Sequence, residues 1–241
     1  MLGCPRVGAP PPGVPRSATC ALAWSYDATA ARWESQRTWV IVESRPLGEG
    51  GMRVALPCNE FDPTRGGTGG VEYTEMVAKV FKRGLGLDAE KQRRAHFDEA
   101  QTQMISEAYA REYNAEPAVA ANSRANKIAF LTSRVLELPR GLANLESLIR
   151  GDYTKHSDNT GKICSARDVP QAFSHYTYHR SRGALVVVDL QGVGDFFTDP
   201  QIHSRDGRGF GLGNLGARGI SDFRATHRCN AVCRALRLPR P

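Results

Sequence analysis

Ala184-Leu185-Val186-Val187-Val188-Asp189-Leu190-Gln191-Gly192-Val193-Gly194-Asp195-Phe196-Phe197-Thr198-Asp199-Pro200 is the stretch on which the reading of this chain turns. An unbroken apolar run, Ala184 to Val188, followed by an aspartate spells a buried strand whose C-terminal end delivers a carboxylate. Asp189 and Gln191 lie two apart, so on a strand they project to the same side. Gly192 and Gly194 permit a tight return that brings Asp199 back towards them. Two carboxylates and a neutral amide oxygen on adjacent loops suit a hard divalent cation such as Mg²⁺ handling phosphate. On spacing alone the same residues also fit helix caps or solvated surface groups.

Upstream of this segment the pattern is β-rich. Thr38 to Val42 reads as a strand, Gly48-Glu49-Gly50-Gly51 as a turn, and Met52 to Leu56 as the returning strand. A Gly-rich hairpin loop is expected at Arg65 to Gly70, followed by a strand from Met76 to Phe81. Phe97, Ala100, Met104, Ala108 and Tyr109 recur at helical spacing, which predicts a long amphipathic helix from Lys91 to Tyr113. A strand from Phe130 to Leu138, a polar loop from Lys155 to Gly161 and a helix from Val169 to Tyr178 behind an Asp168 cap come next. After the central segment the chain ends in a glycine loop and a short Arg-rich helix. Residues 1 to about 35, with the run Gly8-Ala9-Pro10-Pro11-Pro12-Gly13-Val14-Pro15, read as a disordered Pro-rich leader. The expected fold class is α+β and two-lobed. One domain spans 36–238, with an N-lobe of about 36–145 and a C-lobe of about 146–238.

Composition bounds the function. A chain of 241 residues with 41% hydrophobic and 24% charged residues is long enough for a substantial core. No apolar run approaches the length of a membrane span. The net charge of +7 suits an anionic partner. The basic residues are scattered rather than gathered with aromatics, so a nucleic-acid partner is not expected. The cysteines, Cys4, Cys20, Cys58, Cys164, Cys229 and Cys233, show no disulfide-framework spacing, which favours a reduced, cytoplasmic setting.

Cys229 and Cys233 are four apart, on one face if helical, with His227 two residues before. That spacing fits a zinc site, and equally a pair of buried thiols beside a surface histidine. Gly211-Leu212-Gly213-Asn214-Leu215-Gly216 fits GxGxxG, but it follows the central strand instead of opening a βαβ unit, so a dinucleotide-binding reading fails.

Taken together, several blocks resemble the alpha-kinase family of atypical protein kinases, closest to its elongation-factor-2 kinase branch. They are Gln171-Ala172-Phe173-Ser174-His175-Tyr176-Thr177-Tyr178, Asp189-Leu190-Gln191-Gly192-Val193-Gly194, Thr198-Asp199-Pro200-Gln201-Ile202-His203, Gly213-Asn214-Leu215-Gly216 and His227-Arg228-Cys229-Asn230. The resemblance implies an ATP- and Mg²⁺-dependent kinase acting on a Thr or Ser hydroxyl of a protein substrate. It casts Asp189 as the catalytic carboxylate, Gln191 and Asp199 as magnesium ligands, and Lys79 as a contact to the ATP phosphates. Gly50, Gly51, Met52 and Arg53 resemble the nucleotide-covering loop, and Glu146 with Leu148 the adenine-binding hinge. Glu99 or Glu107 would then hold Lys79. The loop containing Gly211, Gly213, Asn214, Leu215 and Gly216 matches one linked to peptide-substrate binding and also read as nucleotide-binding, with Leu212 where this branch usually carries an acidic residue. His175, His227, Cys229 and Cys233 match structural zinc ligands of a zinc-stabilised C-terminal lobe. His156, His179 and His203 receive no role.

Two other classes are weighed: a non-catalytic, zinc-stabilised nucleotide-binding or scaffold relative, and a basic nucleic-acid module. The presence of all of Lys79, Asp189, Gln191 and Asp199 favours the enzyme.

Overall fold

The computed structural model describes residues 9–61, 72–121 and 127–241, and the expected Gly-rich loop at Arg65 to Gly70 lies outside them. The chain divides into two compact units, each discontinuous in sequence: 1–100 with 133–148, and 101–132 with 149–241.

The first unit is built on a seven-stranded sheet. Its strands are β1 (Thr19–Asp27), β2 (Arg32–Val42), β3 (Gly48–Glu49), β4 (Arg53–Phe61), β5 (Tyr73–Phe81), β7 (Arg134–Leu138) and β8 (Gly141–Ser147). They run in the order β2-β1-β7-β8-β5-β4-β3, and β2 also pairs with β4. That last pairing closes six of the strands into a ring. Ala21, Ala23, Val40, Cys58, Met76, Ala78, Leu136, Ala143 and Leu145 fill one core cluster. The small side chains among them let facing strands approach closely. A part-buried pair of Arg134 and Glu60, with Thr38 donating to Glu60, joins β7, β4 and β2.

Residues 19–35 overturn the expected leader. β1 pairs with β2 along its whole length, from Thr19 opposite Val40 to Asp27 opposite Arg32. The Asp27 carboxylate accepts from the Thr29 and Ala30 amides and shapes the connecting turn. Alternation in Ala21-Leu22-Ala23-Trp24-Ser25-Tyr26 is a strand signal that the Pro-rich run just before it masked.

Helix α1 (Ala89–Ala115) spans the division, which falls between Ala100 and Gln101. In the first unit Phe97 packs edge-on against Trp24 and Trp33. In the second unit Ala110 and Tyr113 are buried with Phe130, Phe173, Leu190 and Phe197. An N-lobe running unbroken to residue 145 is therefore corrected: 101–132 belongs to the second unit, because the later turns of α1 supply part of that unit's core.

The second unit also holds α2 (Pro117–Ala120), β6 (Ala129–Phe130), β9 (Tyr153–Lys155), α3 (Asp168–Arg180), β10 (Leu185–Val188), β11 (Gln191–Val193), β12 (Phe196–Thr198), β13 (Gln201–Ser204), α4 (Gly216–Thr226) and α5 (Ala231–Ala235). β10 pairs with β13, while β6-β12-β11-β9 form a separate small sheet. Arg167, not Asp168, occupies the N-cap of α3, and Asp168 sits in the first turn, where its charge favours the helix dipole. The predicted 130–138 strand is two strands, β6 and β7, which fall in different units. No described helix is long and apolar enough to cross a membrane.

Candidate active site and metal centre

In the first unit the site begins with Lys79 on β5. The register sets Lys79 opposite Asn144 and Val77 opposite Glu146, which makes Lys79 and Glu146 diagonal neighbours on one face. Lys79 Nζ lies 2.8 Å from Glu146 Oε2, and the two side chains are only 11% and 3% exposed. A carboxylate from β8 thus reaches Lys79; Glu99 meets Arg53 at 3.1 Å, and Glu107 accepts from the Phe130 amide. Glu146, expected in an adenine-binding hinge, has its carboxylate on Lys79. The Leu148 amide donates to the Glu75 carbonyl at 3.1 Å.

Between β3 and β4 the Gly50 amide donates to the Arg53 carbonyl, and Gly50, Gly51 and Met52 are exposed at the tip. A Cβ placed on Gly51 would meet nothing within 4 Å, and neither Gly50 nor Gly51 has a positive φ. The fold itself does not require glycine at this tip.

In the second unit β10 ends at Val188, and Asp189 stands at the bend that follows, with φ 56°. The expectation that Asp189 and Gln191 project from one continuous strand is corrected, since Gln191 opens the next strand, β11. A hairpin gathers the group instead. Gln191 pairs with Thr198, so Asp199, with φ 55°, follows directly beside it. Gly192 is required here, because a Cβ would fall 2.0 Å from the Phe196 carbonyl oxygen. The Asp199 amide donates to Gln103 Oε1 at 2.9 Å.

Asp189 has a neighbour that sequence reading missed. Lys155, at the end of β9 and paired with Gln191, places Nζ 2.7 Å from Asp189 Oδ1. This is an ion-pair distance without hydrogen-bond alignment. Burial pushes the Asp189 carboxyl above the ordinary range, Lys155 pulls it back, and Asp199 adds to the upward push. The backbone is pinned from the same side: the Asp189 amide donates to the Asp158 carbonyl, and the Leu190 amide to Ser157 Oγ.

The glycine loop is held by Asn214. Its Oδ1 accepts from the Ser204 and Gly216 amides, and its Nδ2 donates to the Gly209 carbonyl. Leu212 and Leu215 are exposed. Gly211 and Gly216 have positive φ, and Gly213 packs directly on the Gln201 side chain.

The third cluster is His175, His227, Cys229 and Cys233, whose candidate ligand atoms lie within 4.8 Å of one another. His175 comes from α3, His227 ends α4, and Cys233 lies in α5, which is capped by Asn230 Oδ1 accepting from the Cys233 amide. His175 Nε2 donates to the Pro239 carbonyl at 2.8 Å, which leaves the Nδ1 lone pair facing Cys229 Sγ at 3.9 Å. Cys233 Sγ is 3.8 Å from His227 Nε2. A tetrahedral zinc shell with ordinary Zn–S and Zn–N lengths sets neighbouring S and N about 3.5 Å apart. The four side chains therefore fit the ion with small adjustments. Burial holds His227 neutral, with its pKa pushed down to about 4, and pushes the Cys233 thiol up to about 11. Neutral imidazoles paired with thiols that need a cation to ionise are what a zinc site supplies.

The alpha-kinase family model matches residues 48–233. Myosin heavy chain kinase B of Dictyostelium discoideum is 39% identical over 227 residues, which cover 90% of this chain and 28% of that protein. Eukaryotic elongation factor 2 kinase of Rattus norvegicus is 32% identical over 219 residues, which cover 88% of this chain and 29% of that one. The chain thus spans less than a third of the length of these curated relatives. The crystal structure of the alpha-kinase domain of myosin heavy chain kinase A in complex with ADP superimposes with a TM-score of 0.81 at 32% identity, covering 93% of this chain and 98% of that one. A family match over most of the chain, with a solved alpha-kinase domain superimposing on nearly all of it, means that this chain belongs to the alpha-kinase family.

Proposed function

We propose that this chain is the catalytic domain of a protein kinase that transfers the γ-phosphoryl group of ATP to a threonine or serine hydroxyl of a protein, with Mg²⁺ as cofactor. The observation that carries the reading is the grouping of Asp189, Lys155, Gln191 and Asp199 around one bend and one hairpin. Phosphoryl transfer asks for positioning and charge neutralisation more than for covalent chemistry, and this set supplies both.

Asp189 accepts the proton of the acceptor hydroxyl as its oxygen bonds to phosphorus and the bond to the ADP oxygen breaks. Lys155 keeps that carboxylate in place and offers positive charge beside the transferring group. Gln191 and Asp199 would hold magnesium, which when bound neutralises the phosphate oxygens. Lys79, fixed by Glu146, binds the nucleotide phosphates. The Gly50-Gly51-Met52-Arg53 tip lets backbone amides approach them, which is a reason for glycine that the fold does not provide. With the Glu146 carboxylate and the Leu148 amide engaged, adenine is left the Leu148 carbonyl and side chain. The loop Gly211 to Gly216 receives the acceptor peptide. His175, His227, Cys229 and Cys233 hold structural zinc that knits α3 to the C-terminal helices. A reduced, cytoplasmic setting is proposed with it, on the spacing of the cysteines in the sequence.

The test is phosphotransfer from labelled ATP with Mg²⁺ to a panel of threonine peptides, run beside Asp189→Ala. Label on peptide with the wild-type chain and none with the variant is expected. Equal labelling by both removes Asp189 from the mechanism, and nucleotide binding without transfer makes the chain a non-catalytic relative.

A further inference from the structure

His203 has no role in the reading above, yet it sits at a junction. It lies on β13 opposite Val186 of β10, the strand that leads to Asp189, and it is fully buried. Its Nε2 is 2.6 Å from the Asn159 carbonyl oxygen, and the Leu215 amide is 3.0 Å from its Nδ1. A backbone carbonyl only accepts and a backbone amide only donates. The ring is therefore the neutral tautomer with its proton on Nε2, and both nitrogens are in use. Asn159 also reaches the glycine loop directly, with Nδ2 donating to the Gly213 carbonyl at 3.1 Å. Its neighbour Asp158 accepts from the Asp189 amide.

These bonds form a closed circuit: Asn159 to His203, His203 to Leu215, and Gly213 back to Asn159. One end belongs to the glycine loop and the other to the segment that pins the Asp189 backbone. The ring's position is fixed from the side by α4, because a Cβ on Gly219 would fall 2.3 Å from His203 Cδ2. No other side chain offers one donor and one acceptor on a rigid frame of this width. Serine is too short, and asparagine or glutamine reproduces one nitrogen at a time.

We propose that His203 is a positioning residue for the acceptor peptide, locking the glycine loop 211–216 in register with the 158–159 segment that holds Asp189. This rests on the reading of that loop as the peptide site. The circuit itself is independent of that reading.

The variants separate the two ends. His203→Gln keeps a donor near Asn159 and gives up the acceptor for the Leu215 amide, whereas His203→Asn keeps the acceptor. Hydrogen exchange at the Leu215 amide is measured without any substrate, and KM is measured separately for ATP and for the best peptide of the threonine panel. In His203→Gln, exchange at Leu215 and the peptide KM should each rise about tenfold, the loss of one buried hydrogen bond, with the ATP KM unchanged. His203→Asn should restore Leu215 protection but leave the peptide KM raised, because it lacks the donor to the Asn159 carbonyl. Gly219→Ala, which displaces the ring while leaving its nitrogens intact, should reproduce His203→Gln. Parallel rises in both KM values with a lowered Tm would mean a merely structural histidine and overturn the proposal. An unchanged peptide KM despite lost Leu215 protection would overturn it too. Should the wild-type chain transfer no phosphate, the kinase reading fails and the circuit is judged on exchange alone: faster exchange across 211–216 in His203→Gln upholds it, and unchanged exchange sinks it.

Discussion

Lys155 Nζ and Asp189 Oδ1 lie 2.7 Å apart, although the two residues are separated by a helix and a strand in sequence. β9 carries the lysine to the edge of the hairpin whose first residue, Gln191, follows the aspartate. The pair joins a carboxylate raised by burial to the cation that lowers it again.

Asp189→Asn should lower kcat by roughly 10²–10⁴, the usual range for a positioned proton acceptor. Lys155→Met should cost at least about tenfold in kcat while leaving the KM for ATP nearly unchanged, since its partner is Asp189. Steady-state kinetics with Tm as a control decide this. A Lys155→Met enzyme with wild-type kcat would show that the contact has no part in turnover.

Lys79 and Glu146 form a buried ion pair. Glu146→Leu removes the carboxylate 2.8 Å from a buried ammonium, so it should destabilise the chain by up to about 3–5 kcal/mol. The double variant Lys79→Met/Glu146→Leu should recover most of that loss, because matched apolar side chains replace the pair. It should remain inactive, having lost the amine proposed to bind the nucleotide phosphates. Urea denaturation of wild type, Lys79→Met, Glu146→Leu and the double variant provides the comparison, and additive effects in the double variant would deny the pairing.

The His175, His227, Cys229 and Cys233 cluster should carry one zinc per chain. Cys233→Ser should lose the metal and roughly 3–5 kcal/mol of stability, about 6–20 °C in Tm at this chain length. Elemental analysis and calorimetry before and after chelation test it. Full thermal stability in a metal-free sample would remove zinc from the account.

His96 is buried against Asn144 and Phe81, and burial pushes its pKa down to about 4, with Arg53 adding to the shift. The unfolded chain, with an ordinary imidazole near pH 6.5, binds the extra proton first. The His96 contribution is therefore complete above about pH 6.5 and is lost as pH falls towards 4, up to about 3 kcal/mol in all. Other buried histidines share this trend, so the test is the difference between wild type and His96→Gln. The variant should show a shallower fall in denaturation free energy between pH 6.5 and 4.5. Identical slopes would mean that His96 titrates normally.

What the sequence made legible was local. The apolar run before Asp189, the Gly192 return and the His227-Cys229-Cys233 spacing each depend on near neighbours in the chain, and each is found assembled. What it hid was long-range. Glu146 could be paired with Lys79 only by knowing that β8 lies beside β5, a relation that no window around either residue contains. Lys155 sits in a three-residue strand, too short for any alternation to register. β1 was lost for a different reason, since the prolines before it outweighed its own alternation of small with large side chains.

Helix α1 crosses from one unit to the other without interruption, and each unit is assembled from two separate stretches of chain. It follows that no single cut in the polypeptide yields a whole half. A fragment ending at Ala100 lacks β7 and β8, and one starting at Gln101 carries those two strands with no sheet to join. Attempts to express the two units as separate polypeptides by a single cut should give aggregates, whereas a version re-ordered so that each unit is contiguous could be tested on its own terms.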